Sequence, residues 1–299
     1  MPNRIVVCCA CLNVVPLRDC VAPPFTSKVL KYIVETNEDF RNLRGLLGVR
    51  GSFKPIVFSP LWDGSRFLYS RRGDGGGFVR LRAGRVYGGR VSFIVPGDRV
   101  DVFVDEVLEF NGRFRTVYGE FSIGVSSIEV VGFDSLSFDF DGCFKVRFLT
   151  PIILTSKLMM PPPLRVYSRR VPERHRLIPT PSYIFNYLIR LWNAFAPDEL
   201  KLPRPGSDVW AAYKFGRISD IVLVEVDYSV KPETVVYGKT SDGRLKLVRG
   251  FTGWIIYELI YPKLRPIYSK LLALAKYMGV GRSRSIGFGQ VDVVRADKH

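Results

Sequence analysis

The sequence has little of what membrane and secreted proteins need. No apolar run in its 299 residues approaches about 20 residues, so no membrane-spanning helix is expected. The stretch from Met1 to Val15 lacks a charged lead and a small-residue cleavage site, and we interpret it as a first strand and not as a signal peptide. These absences predict a cytoplasmic protein that does not interact with membranes.

Metal-ligating residues are also scarce. The chain has two histidines, His175 and His299, and no group of Asp, Glu and His with a convincing ligand spacing. Among five cysteines, Cys8 and Cys11 have C-x-x-C spacing, but there is no second pair and no histidine near them. On a strand these two side chains would point to opposite faces, which favours small, separately buried residues. We therefore expect no metal and no cofactor.

Acidic residues are few relative to basic ones. The chain has 44 Lys and Arg against 28 Asp and Glu, a formal net charge of +16. Such an excess favours a polyanionic partner, because Lys and Arg neutralise phosphates. A hydrophobic content of 47% is enough for a full core, which excludes wholesale disorder. The length allows one large domain or two ordinary ones.

The first half of the chain predicts the order strand, helix, strand, strand, helix, strand, which is the ferredoxin-like split βαβ. The segments are strand 4–15, a helix capped by Thr26 or Ser27 and ending near Thr36, a short helix 38–47, an extended segment 53–61, strands within 78–95, helix 97–110 and strand 115–131. On the 97–110 helix the residues expected to face inward are Val100, Phe103, Val104, Val107 and Leu108.

The same order recurs in the second half. Its segments are strand 143–154, a Pro- and Arg-rich loop 159–181, helix 182–195, strands 221–228 and 245–260, helix 263–278 and a last strand 290–294. We therefore predict an α+β protein of two tandem ferredoxin-like (βαββαβ) domains. The predicted boundaries are residues 1–133 and 143–299, joined by a linker at 134–142.

A glycine-rich loop joins the last predicted helix to the last strand. Its glycines, which let the backbone turn sharply and approach a ligand, are Gly279, Gly281, Gly287 and Gly289. Between them stand two guanidinium groups and two hydroxyls suited to phosphate oxygens, on Arg282, Ser283, Arg284 and Ser285. Dinucleotide and nucleotide-triphosphate loops are excluded because both precede a helix. A helix cap at Gly279 with a flexible connection is the alternative, but it leaves the Arg-Ser-Arg-Ser core unexplained, so we predict a phosphodiester-binding loop.

Three segments together resemble a known family. They are FKPIVFSPL at 53–61, VRFLTPIILTSK at 146–157 and the ending GVGRSRSIGFGQV at 279–291. With them the chain resembles the CRISPR-associated repeat-processing endoribonucleases of the RAMP superfamily, in particular crenarchaeal-like members that lack the usual catalytic histidine. The resemblance implies two RRM-like domains that bind the CRISPR repeat in precursor RNA and cut it once per repeat. The implied reaction is metal-independent: the 2′-hydroxyl attacks the adjacent phosphate and leaves a 2′,3′-cyclic phosphate. Subunits of a CRISPR effector complex and a second copy of the chain are possible further partners.

The sequence departs from the usual family pattern in one respect. Many members have a histidine just after the first helix, and here none lies between Glu35 and Ser59. By resemblance to the members without it, a lysine cluster would replace the histidine, and lysines close together have lowered pKa values. The candidate catalytic residues are then Lys28, Lys31, Lys54 and Tyr32, with Arg44 and Arg50 in support. The alternative is that Lys28 and Lys31 form an ordinary solvated helix face.

The predicted RNA-binding surface extends beyond the glycine loop. It includes the basic stretch Arg169, Arg170, Arg174, His175 and Arg176, followed by Lys231, Lys239, Arg244 and Arg249. The alternative to RNA binding by His175 is that it is an ordinary polar residue on the surface. The aromatic submotifs of a sheet-stacking RRM are absent, so we expect phosphate and shape contacts and no base stacking on the sheet.

Two other functions compete with the endoribonuclease. One is a non-catalytic repeat-RNA-binding subunit of a CRISPR effector complex, which the missing histidine favours. The other is a ribonucleoprotein scaffold without repeat preference.

Overall fold

A computed structural model describes residues 4–74, 77–202 and 209–297. The chain divides into two compact units. The first consists of Met1–Gly132, Thr234–Val248 and Ser283–Gly287, and the second of Phe133–Glu233, Arg249–Arg282 and Phe288–His299. The boundaries from the sequence, at 133 and 143, stay a prediction, and His299 lies outside the described residues.

The first unit contains a five-stranded antiparallel sheet in the order β3-β5-β1-β7-β6. Its strands, with the separate ribbon of β2 and β4, are β1 (Ile5–Pro16), β2 (Cys20–Ala22), β3 (Ile56–Phe58), β4 (Val79–Leu81), β5 (Tyr87–Pro96), β6 (Gly112–Thr116) and β7 (Gly119–Gly132). The central strand β1 pairs with β5 and β7, and its register with β7 shifts between Cys11 and Leu12. The predicted strand 115–131 is therefore two strands, which form a hairpin at the sheet edge.

Three α-helices accompany this sheet: α1 (Ser27–Thr36), α2 (Arg41–Gly48) and α3 (Val100–Leu108). Single 3₁₀ turns, Glu38–Phe40 and Gly97–Arg99, precede α2 and α3. The strands β1, β3, β5 and β7 with α1 and α3 give the ferredoxin-like order and the sheet order expected for it.

The inward face of α3 differs from the prediction at its end. Phe103 and Val107 are buried, but Leu108 is 46% exposed and the carboxylate of Glu106 is buried instead. Glu106 accepts hydrogen bonds from the backbone N–H groups of Asn42 and Leu43, at 2.7 and 2.8 Å. These are unpaired donors at the N-terminus of α2, so α3 turns a carboxylate inward to satisfy them.

The second unit carries the sheet order β11-β12-β8-β13, the same permutation. Its strands, with the small pair β9 and β10, are β8 (Cys143–Ile152), β9 (Leu154–Thr155), β10 (His175–Arg176), β11 (Leu223–Lys239), β12 (Leu245–Leu259) and β13 (Val291–Arg295). Its helices are α4 (Pro181–Phe195), α5 (Val209–Val222) and α6 (Arg265–Met278). The prediction of a tandem ferredoxin-like α+β protein is confirmed.

Helix α5 was not predicted, and the predicted strand start at Ile221 is wrong because α5 continues to Val222. Its buried positions include small residues where α4 and α5 meet. A Cβ at Gly216 would lie 2.9 Å from the Ser182 carbonyl oxygen of α4. Close contact through small side chains leaves no strong apolar stripe in the sequence. No helix in the described part of the chain is long and apolar enough to cross a membrane.

Candidate active site and nucleic-acid interface

The start of α1 is fixed by contacts far away in the sequence. The sequence predicts Thr26 as a possible helix cap, but its hydroxyl makes no capping hydrogen bond. The hydroxyl instead donates to the Leu68 carbonyl and accepts from the Leu61 N–H, both at 2.7 Å. The Ser27 hydroxyl donates to the Ile286 carbonyl at 2.7 Å. The first turn of α1 is therefore held against the segment after β3 and against the glycine-rich loop.

Lys28 lies half-buried on the first turn of α1. Its ammonium donates a hydrogen bond of 2.6 Å to the Tyr237 carbonyl, at the end of β11. Burial lowers the pKa of Lys28, and the charges of Lys31 and Lys246 lower it further. The structure thus brings together two predicted lysines and a third, Lys246, that the sequence analysis missed. No local pattern could have found it, since Lys246 approaches α1 only through the fold.

The next turn of α1 carries the other two candidates. The Lys31 ammonium lies 3.3 Å from the Glu35 carboxylate. The Tyr32 ring packs edge-on against Tyr118, with centroids 5.8 Å apart. Burial raises the pKa of the Tyr118 phenol, and Tyr32 and Glu35 add to that effect. Lys31 therefore has an acidic partner, whereas the Lys28 ammonium is held by a neutral carbonyl.

Lys54 lies in a different environment. Its ammonium donates to the Leu47 carbonyl at 2.8 Å and to the Val49 carbonyl, the unpaired acceptors at the end of α2. Its own carbonyl accepts from the Arg284 guanidinium at 3.4 Å. The charges that lower the pKa of Lys28 are those of Lys31 and Lys246, and not that of Lys54.

The loop glycines are required by the protein's own packing. Gly281 and Gly287 have φ of 92° and 97°, in the left-handed region. A Cβ at Gly281 would lie 2.7 Å from the Ile153 carbonyl oxygen, and one at Gly287 would lie 2.8 Å from the Ser27 hydroxyl. Gly279 ends α6, with its N–H bonded to the Ala275 carbonyl at 2.8 Å. The helix-cap alternative accounts for Gly279. Close contacts account for the other two, with the Ile153 backbone at Gly281 and with the Ser27 side chain at Gly287.

The polar residues of the same loop fall into two groups. Arg284 is 5% exposed and points into the first unit, where it contacts the Lys54 carbonyl. Arg282 and Ser283 are exposed, and Arg282 forms an ion pair with Glu173. Ser285 is half-buried, while Gly289 is buried. Arg282 and Ser283 are therefore the loop positions most open to a ligand.

Most of the remaining predicted RNA-binding residues lie on the surface of the second unit, whereas Lys239 and Arg244 belong to the first. The exposed ones are Arg169, Arg170, Arg174, Arg176, Lys231 and Arg249. The His175 ring Nδ1 lies 3.0 Å from the Arg249 carbonyl, and the Arg176 guanidinium contacts the Tyr183 hydroxyl at 2.5 Å. His175 and Arg249 are thus neighbours, although 74 residues separate them.

The cysteines are free thiols. Cys8 is buried, which raises the pKa of its thiol to about 12. Cys11, on the same strand, is only half-buried. Within residues 4–74, 77–202 and 209–297, no three His, Cys, Asp or Glu side chains lie together as metal ligands would.

Comparisons with known proteins give one consistent result. Residues 8–131 match the family model "Cas6 N-terminal domain" and residues 146–291 match "CRISPR-associated endoribonuclease Cas6". Two relatives from Saccharolobus solfataricus (strain P2) are named CRISPR-associated endoribonuclease Cas6 1 and Cas6 2. They are 31% and 30% identical over 286 and 284 residues, in each case 93% of both chains.

A solved structure supports the fold over the same length. The product complex of the Thermus thermophilus Cas6 protein TTHB231 is similar with a TM-score of 0.63 and 18% identity. The similarity covers 98% of this chain and 99% of that one. At this identity the likeness shows the shared fold.

Proposed function

The chain belongs to the Cas6 family of CRISPR-associated endoribonucleases, and from that premise we propose that it binds the CRISPR repeat of precursor RNA and cleaves it once per repeat. One observation links the proposal to this chain's own residues. It is the lysine cluster of Lys28, Lys31 and Lys246, in which burial and two neighbouring charges lower the pKa of Lys28. A lysine whose pKa is lowered in this way gives up its proton more readily than an ordinary surface lysine.

The proposed reaction is an internal transesterification that needs no metal. The neutral amine of Lys28 takes the proton of the 2′-hydroxyl, and the oxygen attacks the adjacent phosphorus. The bond from phosphorus to the 5′ oxygen breaks, and that oxygen takes a proton from solvent, to which Lys28 later returns the proton it accepted. The products are a 2′,3′-cyclic phosphate and a 5′-hydroxyl, so no water is consumed.

The other candidate residues are proposed to stabilise charge or to position the site. The protonated ammonium groups of Lys31 and Lys246 stabilise the extra negative charge of the phosphorane. Tyr32, on the turn with Lys31, is a candidate hydrogen-bond donor to the same phosphate. The contacts of Lys54 favour a positioning role, because its ammonium holds the end of α2 and its carbonyl contacts the Arg284 guanidinium.

RNA binding is proposed for the exposed basic residues. Arg282 and Ser283 on the glycine-rich loop would contact phosphates, and the second unit would add the exposed arginines at 169–176 with Lys231 and Arg249.

Two further proposals concern partners: a second copy of the chain, and subunits of a CRISPR effector complex. Exposed apolar residues on α5 and β11, such as Ile221 at 71% and Tyr228 at 66%, support a protein partner.

The experiment separates cleavage from binding. Lys28→Met, Lys31→Met and Lys246→Met are compared with Lys263→Met, an exposed lysine of the second unit that serves as the control. Each protein is tested for cleavage and for affinity with one labelled RNA that contains a single repeat. We expect Lys28→Met to lose cleavage and keep binding, with smaller losses for Lys31→Met and Lys246→Met.

A non-catalytic RNA-binding subunit is the second candidate, because no histidine lies between Glu35 and Ser59. It predicts tight binding and no cleavage by the unmodified protein. That result would overturn the proposed reaction and leave RNA binding in place.

A further inference from the structure

The first unit contains an arginine-lined pocket of about 380 Å³ that the proposed reaction does not use. It lies between the segment after β3, the strand β4 and the start of β5. Its cationic residues are Arg66, Arg71, Arg80, Arg82 and Arg85, and its acidic residues are Asp63 and Asp74. Five guanidinium groups against two carboxylates leave an excess of three positive charges. None of the described residues lining it is a lysine of the Lys28 cluster.

The two carboxylates are committed to turns of the protein itself. Asp63 accepts from the backbone N–H groups of Ser65 and Arg66, both at 2.9 Å. Burial acts to raise the pKa of Asp63, but hydrogen bonds from Arg66 and Ser65 and the charge of Arg85 lower it to about 2. Asp74 accepts from the Arg71 N–H at 2.8 Å. Because these anions close turns, the exposed guanidinium groups of Arg80 and Arg82 are left facing solvent.

The pocket also offers an aromatic surface. Phe78 is 51% exposed, and the Lys239 ammonium lies 4.6 Å from its ring centroid. The Arg71 and Arg85 guanidiniums lie over the rings of Tyr69 and Tyr87, at 5.2 and 5.5 Å. Cations that track a phosphate backbone, combined with an exposed ring for a base, are the features of sites for single-stranded nucleic acid.

Hydrogen bonds connect the pocket wall to the segment that leads into α1. The Ser70 N–H donates to the Pro24 carbonyl at 2.7 Å, and the Phe25 and Tyr69 rings stack with centroids 5.3 Å apart. The Ser70 carbonyl accepts from the Val236 N–H at 3.1 Å, next to the Tyr237 carbonyl that holds Lys28. The wall and the Lys28 ammonium are therefore attached to the same two segments of the first unit.

We propose that this arginine pocket binds a single-stranded segment of the RNA adjacent to the cleaved phosphodiester. Phosphates contact the guanidinium groups, and one base lies against the Phe78 ring. A volume of this size accommodates about one or two nucleotides. The assignment rests on the proposed function, since the strand in the pocket is the one that continues to Lys28.

The first test measures binding without cleavage. The probe is a fluorescent oligouridylate of about eight nucleotides, within the usual site size for single strands. Arg80→Ala/Arg82→Ala is compared with Arg18→Ala/Arg41→Ala, a control with the same charge change at exposed arginines of the same unit. We expect about tenfold weaker binding in the pocket variant only. The slope of log K against log salt should fall by about 1.4, or 0.7 per lost phosphate contact.

A second measurement locates the strand. The probe carries 4-thiouridine, and cross-linked peptides are identified by mass spectrometry. Adducts between Phe67 and Tyr87 support the pocket, and Phe78→Leu should reduce their yield several-fold. Equal loss of affinity in both double variants, or adducts confined to other segments, would overturn the proposal. Because the oligouridylate contains no repeat, a protein that fails to cleave repeat RNA can still pass or fail this test.

Discussion

Replacing Lys28 by Arg distinguishes proton transfer from charge as the role of this residue. Arginine keeps a cation at the position and can still donate to the Tyr237 carbonyl, which accepts from Lys28 at 2.6 Å. It cannot lose its proton in the accessible pH range. Positioned acid–base groups contribute roughly 10²–10⁴ in rate, so Lys28→Arg should cleave at least about 10²-fold more slowly. RNA affinity should change by less than about threefold, since the charge is retained.

The assay is single-turnover cleavage with protein in excess, measured across pH. Burial and the charges of Lys31 and Lys246 lower the pKa of Lys28. Its amine therefore becomes neutral at a lower pH than an ordinary lysine. The wild-type rate should rise with pH up to that lowered pKa, and Lys28→Arg should lose the rise.

Lys31→Arg provides the matched control, because it makes the same change one turn away at a residue for which only charge is proposed. It should retain most of the activity. A Lys28→Arg variant with the wild-type rate and pH profile would refute proton transfer at this position.

Three further predictions concern stability. Gly287→Ala places a methyl group 2.8 Å from the Ser27 hydroxyl, and urea unfolding should show a loss of ~3–4 kcal/mol in the free energy of unfolding. Gly243→Ala, also at positive φ but in open space, should lose only ~1–2 kcal/mol. Equal losses in the two variants would contradict the packing argument. Glu106→Gln weakens the three hydrogen bonds accepted at the N-terminus of α2 and should lower the free energy of unfolding by about 1–3 kcal/mol, and an unchanged urea midpoint would contradict this. The lowered pKa of Lys28 disfavours its charged form in the folded state, so wild-type stability relative to Lys28→Met should increase as pH rises from the folded pKa towards 10.5. Thermal unfolding at several pH values checks this difference, which should stay constant if the pKa is not lowered.

The sequence predicts the elements whose signals are local. Helix α6 has strong apolar spacing and a glycine at its end, and Gly279 does close it. The resemblance to the repeat-processing endoribonucleases rests on short motifs near β3, β8 and the last loop, and the family is confirmed. Helix α5 lacks such signals, because Gly216 and other small residues form part of its buried face.

Contacts between distant segments could not be predicted in this way. Lys246 approaches Lys28 only because β11 and β12 bring residues 234–248 into the first unit. Gly287 is confined by Ser27, about 260 positions earlier in the chain. One-dimensional patterns identify candidate residues, but which of them meet is decided by the fold.

The most direct test of the proposed reaction uses two synthetic repeat RNAs in the presence of EDTA. One is all-ribose, and the other carries a single 2′-deoxy sugar at the cut site. We expect that the first is cleaved to a 2′,3′-cyclic phosphate and a 5′-hydroxyl, while the second binds equally well and stays intact. Cleavage of the 2′-deoxy RNA would contradict attack by the 2′-hydroxyl, and loss of all cleavage on adding EDTA would contradict a reaction that needs no metal.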